Sequence, residues 1–244
     1  MTAEKLLITE KNLFIEAMNM SDKELSLKNE DDYYVALGKA FDDAFNQYAR
    51  RKREKYATKK GKLMEDVLKR IFSYFKNKED SFELCFSECI KLSKKIFDNR
   101  SYGMAQKFVN MSFKYLYCFS DVEEFECKFE KCHMPLDKYT IKWVRNLKCK
   151  DVNNGLSKID NAWSKIDEKL YNSIQELINK TLKNDCIYKV SYCEGITDEE
   201  KNVILPSNQL QAEFIVWHQE KINELRGILN KVEKDWNRLG IKQI

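Results

Sequence analysis

Glycine and proline are scarce in this chain, and their scarcity limits the number of tight turns that it can make. The sequence holds only seven glycines and two prolines in 244 residues. A β-rich architecture needs many turns of the kind that these residues favour. The charged fraction of 34% and the apolar fraction of 43% are typical of amphipathic helices. We therefore predict an all-α, bundle-like fold, with any strand or hairpin confined to residues 186–205.

Apolar residues recur at spacings of three and four along most of the chain, as they do in helices that bury one face. The pattern predicts a helix that begins at Asp31, runs into Arg50–Arg53 and fades near Gly61, followed by a new helix from Leu63. A further helix should follow Gly155 and carry Trp163. Pro135, at an N-terminal helix position, should open another helix before Gly155.

The last predicted helix is long, and it covers residues 207–239. Its apolar residues alternate spacings of three and four, as in a helix bundle or a coiled-coil seam. The seam spans too few heptads for a free coiled coil, so we expect this helix to pack on the body of the protein. Pairing with a second copy in a homodimer is the alternative. No linker marks a domain boundary, so residues 1–244 are predicted to form a single domain.

The clearest helical pattern lies between Tyr102 and Phe119, where apolar side chains fill a wide arc and leave one narrow polar strip. A helix of this kind is packed on most sides, so its polar strip is a natural place for chemistry. The strip and the segment near Pro135 supply six candidate site residues: Gln106, Lys107, Asn110, Lys114, His133 and Asp137.

Lys107 and Asp137 are the candidate catalytic pair among these residues, and the other four are candidate pocket residues. A lysine beside apolar surface can act as a nucleophile or base with a carboxylate as its partner. A structural interpretation stays open. The lysines can be exposed, Asn110 can bond to a neighbouring loop, and Asp137 is favoured by the dipole of the helix that it begins.

The same residues carry a resemblance. YGMAQKFVNMSFKYLYC and CHMPLDKYTIKW resemble a group of uncharacterised bacterial proteins that share a YGxAQKxxNxxxKYL helix followed by HxPxDxxxL. A lysine-bearing helix followed by a Pro-x-Asp helix start is also loosely similar to helix-hairpin-helix DNA glycosylases, in which a lysine and an aspartate carry catalysis. That similarity implies catalytic roles for Lys107 and Asp137. The chain lacks the glycine-rich hairpin of the glycosylases.

A dense basic segment spans residues 50–62, with eight cations and one acid, Glu54. Clustered cations around a tyrosine can follow a phosphate backbone and release its counterions. The alternative is a solvated helix end whose cations complement the dipole of the preceding helix. The candidate nucleic-acid-binding residues are Arg50, Arg51, Lys52, Arg53, Lys55, Lys59 and Lys60.

The eight cysteines form no CxxC pair, and we expect them to be reduced thiols in a cytoplasmic protein. A zinc site built from Cys127, Cys132 and His133 is conceivable, but the spacing is not a standard ligand pair. We therefore predict no metal and no cofactor. No apolar run is long enough to span a bilayer, so no membrane partner is expected.

Three functions remain open from the sequence. The first is a DNA-binding or RNA-binding protein that uses the basic segment in genome maintenance or antiviral (phage) defence. The second is a lysine-dependent, glycosylase-like enzyme that acts on nucleic acid through Lys107 and Asp137. The third is a helical protein–protein interaction module that assembles through the last helix.

Overall fold

The computed structural model of the protein describes residues 11–12, 14–16, 25–49, 53–96, 101–183 and 206–238. Every regular element in this part of the chain is helical, which confirms the all-α prediction. The predicted strand region, 186–205, lies outside the described residues. The helices are α1 (Glu30–Ala49), α2 (Arg53–Lys76), α3 (Phe82–Ile96), α4 (Tyr102–Leu116), α5 (Glu126–Phe129), α6 (Lys138–Asn146), α7 (Lys150–Lys158), α8 (Glu168–Lys183) and α9 (Gln209–Arg238), with short 3₁₀ turns at Val122–Phe125 and Trp163–Lys165.

Helix α4 is the centre of the fold. It packs against α1 and α3, the 3₁₀ turn at Trp163–Lys165, and α8. All of its residues are buried except Tyr102 and Lys107, which are partly exposed. Phe108 is 0% exposed, and its ring lies 5.8 Å from that of Phe41 on α1. The predicted burial of the apolar arc is confirmed, and the polar strip is buried with it except at Lys107.

The first helix boundaries differ from the prediction. Helix α1 covers Glu30–Ala49, and α2 covers Arg53–Lys76 without interruption at Gly61 or Leu63. The predicted helix end near Gly61 and the predicted new start at Leu63 were therefore wrong. A break between two helices leaves no mark on apolar periodicity when polar residues run through it. Gly61 lies inside α2, where the space around its Cα is open.

The segment after α6 also differs from the prediction. Gly155 lies inside α7, Trp163 lies in a 3₁₀ turn, and α8 starts only at Glu168. Asp160 and Asn161 have φ angles of 53° and 56°, in the left-handed region that short polar residues tolerate. The chain reverses at these two residues, which separates one predicted helix into three elements.

Helix α9 has two different halves. Its first half is buried in the core through Leu210, Phe214 and Val216, whereas Leu225 and Leu229 farther along are 52% and 66% exposed. Within the described residues, the prediction that the last helix packs on the body therefore holds for the first half of α9. Among the described helices, none is long and apolar enough to cross a membrane.

Candidate functional site

A cavity of about 300 Å³ lies where α1, α4, α6 and α9 meet the 3₁₀ turn at Trp163–Lys165. Six of its lining residues are charged, and four are aromatic. The charged residues are Asp43, Lys107, Lys114, Asp137, Lys138 and Glu213; the aromatic residues are Phe14, Tyr139, Trp163 and Trp217. Both members of the candidate catalytic pair, Lys107 and Asp137, line this cavity. A larger groove of about 480 Å³ between α7 and α8 has mostly exposed charged walls, so we place the candidate site in the smaller cavity.

Lys107 reaches the cavity from α4. Its Nζ donates a hydrogen bond to the backbone carbonyl of Asp43 at 3.3 Å and lies 4.6 Å from the centre of the Trp163 ring. The close approach of Trp163 depends on Gly103, because a Cβ atom at that position would overlap the Trp163 carbonyl oxygen. The glycine of the YGxAQK pattern therefore brings an indole ring against the lysine four residues later.

Asp137 is fixed by its role as the N-cap of α6. Its Oδ1 accepts hydrogen bonds from the backbone N–H groups of Tyr139 and Thr140, at 2.8 and 3.0 Å. The Thr140 hydroxyl accepts one in return from the Asp137 N–H at 2.7 Å, which completes a capping box. Pro135 precedes this cap and does not open the helix, which corrects the predicted start of α6.

Lys114 and Glu213 form an ion pair in the wall of the cavity, and each side chain is only 1% exposed. The Lys114 Nζ also lies 3.9 Å from the Phe14 ring centre and 4.8 Å from that of Phe214, so aromatic faces stabilise its charge. Burial raises the pKa of Glu213, and Lys114 opposes that rise. Glu213 was not predicted as a site residue from the sequence. Its position, as a single acid beside the buried Phe214 on an apolar helix face, could have indicated a buried carboxylate.

The other candidate pocket residues do not line the cavity. Gln106 and Asn110 are 0% exposed, and the Asn110 amide donates to Gln106 Oε1 at 3.1 Å and to the Tyr171 hydroxyl at 2.9 Å. The Tyr171 hydroxyl lies 2.8 Å from Nδ1 of His133. Because this hydroxyl accepts from Asn110, it is free to donate its own proton to the imidazole. The structure therefore places Gln106, Asn110 and His133 in a separate buried network.

Three buried glutamines hold the loop before α6. Gln106 donates to the carbonyl of Leu136 at 3.1 Å, and Gln175 donates to the carbonyl of Met134 at 2.9 Å. Gln209 accepts from the Met134 N–H at 2.6 Å. These contacts satisfy the backbone of a buried loop, as buried polar groups require. The glutamine of the YGxAQK pattern thus positions the HxPxD segment, and with it Asp137.

His133 is held neutral by its surroundings. The rings of Phe82 and Phe86 lie 5.0 and 5.1 Å from the imidazole. Burial among these rings lowers the pKa of His133 from 6.5 to about 4, against a small opposite effect of Glu83. The Tyr171 hydroxyl also lies 2.8 Å from Nδ1, and the neutral imidazole can accept its proton there.

This shift predicts a pH dependence of stability. The unfolded chain binds a proton at His133 below pH 6.5, whereas the folded protein does so only near pH 4. The free energy of unfolding therefore falls as the pH is lowered from 6.5 to 4, by about 3 kcal/mol from this group. Chemical denaturation of wild type and His133→Gln at several pH values measures it. The carboxylates titrate in both proteins. Parallel plots of unfolding free energy against pH for the two proteins would therefore contradict the assignment of this pH dependence to His133.

A zinc site finds no support in the described residues, where no group of three or more His, Cys, Asp or Glu side chains could hold a metal ion. Cys127 is exposed, and Cys132 is buried with its thiol donating to the carbonyl of Lys128 at 3.6 Å. His133 is engaged by Tyr171. The six cysteines in this part of the chain are free: Cys85, Cys89, Cys118, Cys127, Cys132 and Cys149.

The basic segment lies across the junction of α1 and α2. Residues 50–52, with Arg50, Arg51 and Lys52, lie outside the described residues. The other candidate nucleic-acid-binding residues, Arg53, Lys55, Lys59 and Lys60, lie in the N-terminal part of α2. Asp43, whose side chain lines the cavity, precedes Ala49 by less than two turns of α1, or about 9 Å along the helix axis. Ala49, the last described residue before the segment, is therefore close to Asp43 along α1.

Comparison with known proteins adds no assignment, because no protein-family model, curated protein or solved structure significantly matches this chain.

Proposed function

We propose that the protein binds nucleic acid through the basic segment at residues 50–62. The observation that carries this proposal is the distribution of charge. Eight cations and one acid give the segment a net charge of +7, whereas the whole chain carries +4, so the remaining residues sum to −3. A single strongly basic segment on an otherwise acidic chain is the electrostatic pattern of a phosphate-binding surface.

The position of the segment supports the same interpretation. Cations are favoured at the C-terminal end of a helix and disfavoured at the N-terminal end, where the helix dipole is positive. Arg53 begins α2, and Lys55, Lys59 and Lys60 follow it in the N-terminal part of that helix. The helix dipole therefore does not account for these four cations, although it is compatible with those just after α1. Phosphate binding would explain why these four cations lie at this end of the helix.

The experiment is a comparison of two quadruple variants. Replacing Arg50, Arg51, Lys52 and Arg53 with Ser should weaken binding of single-stranded and duplex oligonucleotides at least tenfold at low salt, measured by fluorescence anisotropy. The matched control replaces four exposed lysines on other helices with Ser, and it should bind nearly as tightly as wild type. These control positions are Lys91, Lys95, Lys150 and Lys183. Equal losses in the two variants would indicate a nonspecific effect of net charge and would contradict the proposal.

An enzyme that acts on nucleic acid is the second candidate, because Lys107 and Asp137 line one cavity. It becomes the better account if the purified protein turns over an oligonucleotide and Lys107→Met abolishes turnover with the fold intact.

An interaction module is the third candidate, and it concerns the distal half of α9. Leu225, Ile228, Leu229 and Val232 are between 38% and 66% exposed, which is unusual for large apolar side chains on one helix face. This face suits a second copy of the chain in a homodimer, and sedimentation equilibrium would reveal one.

A further inference from the structure

Most charged groups in the cavity are already engaged. Lys114 is paired with Glu213, and Lys138 donates to Glu224 at 2.6 Å. The side chain of Asp43 accepts a hydrogen bond from the Tyr115 hydroxyl at 2.6 Å. These contacts engage each of the four groups within the protein.

Lys107 and Asp137 form no ion pair with another described residue, and neither does Asp43, whose Oδ2 is engaged by Tyr115. The Lys107 ammonium carries three donors, and the structure gives it one acceptor, the Asp43 carbonyl. Asp137 uses Oδ1 for both backbone hydrogen bonds of the cap, and among the described residues Oδ2 has no hydrogen-bond donor. The cavity therefore offers unused donors on α4 and an unused acceptor at the start of α6.

The opposite charges of Lys107 and Asp137 limit the kind of ligand that the cavity can bind. The Asp137 carboxylate disfavours an anion such as phosphate, and the Lys107 ammonium disfavours a simple cation. A neutral group with both an acceptor and a donor on its edge satisfies both side chains. Tyr139, Trp163 and Trp217 supply aromatic walls, which favour a flat, unsaturated ring. The volume of about 300 Å³ is at the lower limit for small-molecule sites.

We infer that this cavity binds a single unpaired nucleobase, with its edge between Lys107 and Asp137 and its faces near the aromatic walls. A nucleobase combines a π-face that stacks on aromatic side chains with an edge that carries donors and acceptors. The source of the base rests on the proposed function: it belongs to a nucleic acid whose phosphates the basic segment holds. The segment follows Ala49, which lies about 9 Å from Asp43 along the axis of α1.

The test compares two single-stranded oligonucleotides of equal length and charge, one intact and one made of abasic sites. Wild type should bind the intact strand about five- to 150-fold more tightly, the effect of one base stacked on aromatic side chains. Lys107→Met and Asp137→Asn should each lose most of this preference while keeping their affinity for the abasic strand. Asn is as good an N-cap as Asp, so Asp137→Asn removes the charge and keeps α6 intact. Lys150→Met and Asp151→Asn, at exposed positions on α7, are the matched controls and should keep the preference.

The outcomes separate this inference from the proposed function. Equal binding of the intact and abasic strands by wild type would overturn the base-binding cavity and leave phosphate binding by the basic segment in place. Binding of neither strand would overturn the proposed function instead. In that case each of the four free nucleosides is titrated into the protein, and binding in the cavity is measured by quenching of tryptophan fluorescence. Quenching that is lost in Lys107→Met would support a base site. The absence of quenching by any nucleoside would refute it.

Discussion

Glu213→Gln should lower the free energy of unfolding by about 3–5 kcal/mol, as measured by chemical denaturation. The substitution leaves the Lys114 ammonium buried at 1% exposure without its counter-charge. Water cannot replace the lost carboxylate at such a site, so the folded state carries the cost of an unpaired charge. The aromatic rings near Lys114 reduce this cost, so the lower part of the range is expected.

Two further variants make this prediction specific. Lys114→Met combined with Glu213→Leu removes both charges, and it should be more stable than Glu213→Gln alone because no unpaired charge remains. Glu176→Gln is the matched control, since it breaks an ion pair with Lys180 in which both side chains are more than 60% exposed. The control should cost at most about 1 kcal/mol. A loss below 1 kcal/mol for Glu213→Gln itself would show that the buried pair is not formed.

Phe108→Ala should destabilise the protein by about 3–5 kcal/mol, because it removes a fully buried ring from the centre of α4. The ring packs against Phe41 on α1, and the surrounding helices can close the resulting cavity only in part. Leu84→Ala, at a position 52% exposed on α3, is the control and should change stability by about 0.5 kcal/mol or less. A loss under 1 kcal/mol for Phe108→Ala would mean that the apolar face of α4 is wrongly placed.

The sequence predicted the centre of the fold because local rules decide it. The apolar arc of α4 follows from helical periodicity, and the burial of Met104, Phe108 and Tyr115 follows from that arc. The start of α6 was predictable to within a few residues, because Asp137 has the side chain of an N-cap. These features depend on neighbours three or four residues away, which one sequence displays directly.

The partners across the fold could not be predicted, because they depend on contacts between residues far apart in the chain. Glu213 lies 99 positions after Lys114, and no local pattern joins the two. The same holds for Tyr171, which links Asn110 to His133. This long-range contact places those two candidate pocket residues in a buried network outside the cavity lining. Asn110 also bonds to Gln106, and Gln106 holds the loop that precedes Asp137.

The break between α1 and α2 escaped prediction for a different reason. Charged residues run through residues 50–53 without a glycine or proline to mark a helix end. Its position matters for the proposed function, since residues 53–62 of the basic segment lie in the N-terminal part of α2 and do not continue α1. The proposed phosphate contacts depend on that geometry.

The dependence of binding on salt concentration tests the central claim most directly. For wild type, the logarithm of the association constant should fall linearly with the logarithm of salt concentration. Replacing Arg50, Arg51, Lys52 and Arg53 with Ser should reduce that slope by up to about 3.6 for duplex DNA and about 2.8 for single strands. An unchanged slope in this variant, or no binding by wild type at low salt, would contradict nucleic-acid binding through the basic segment.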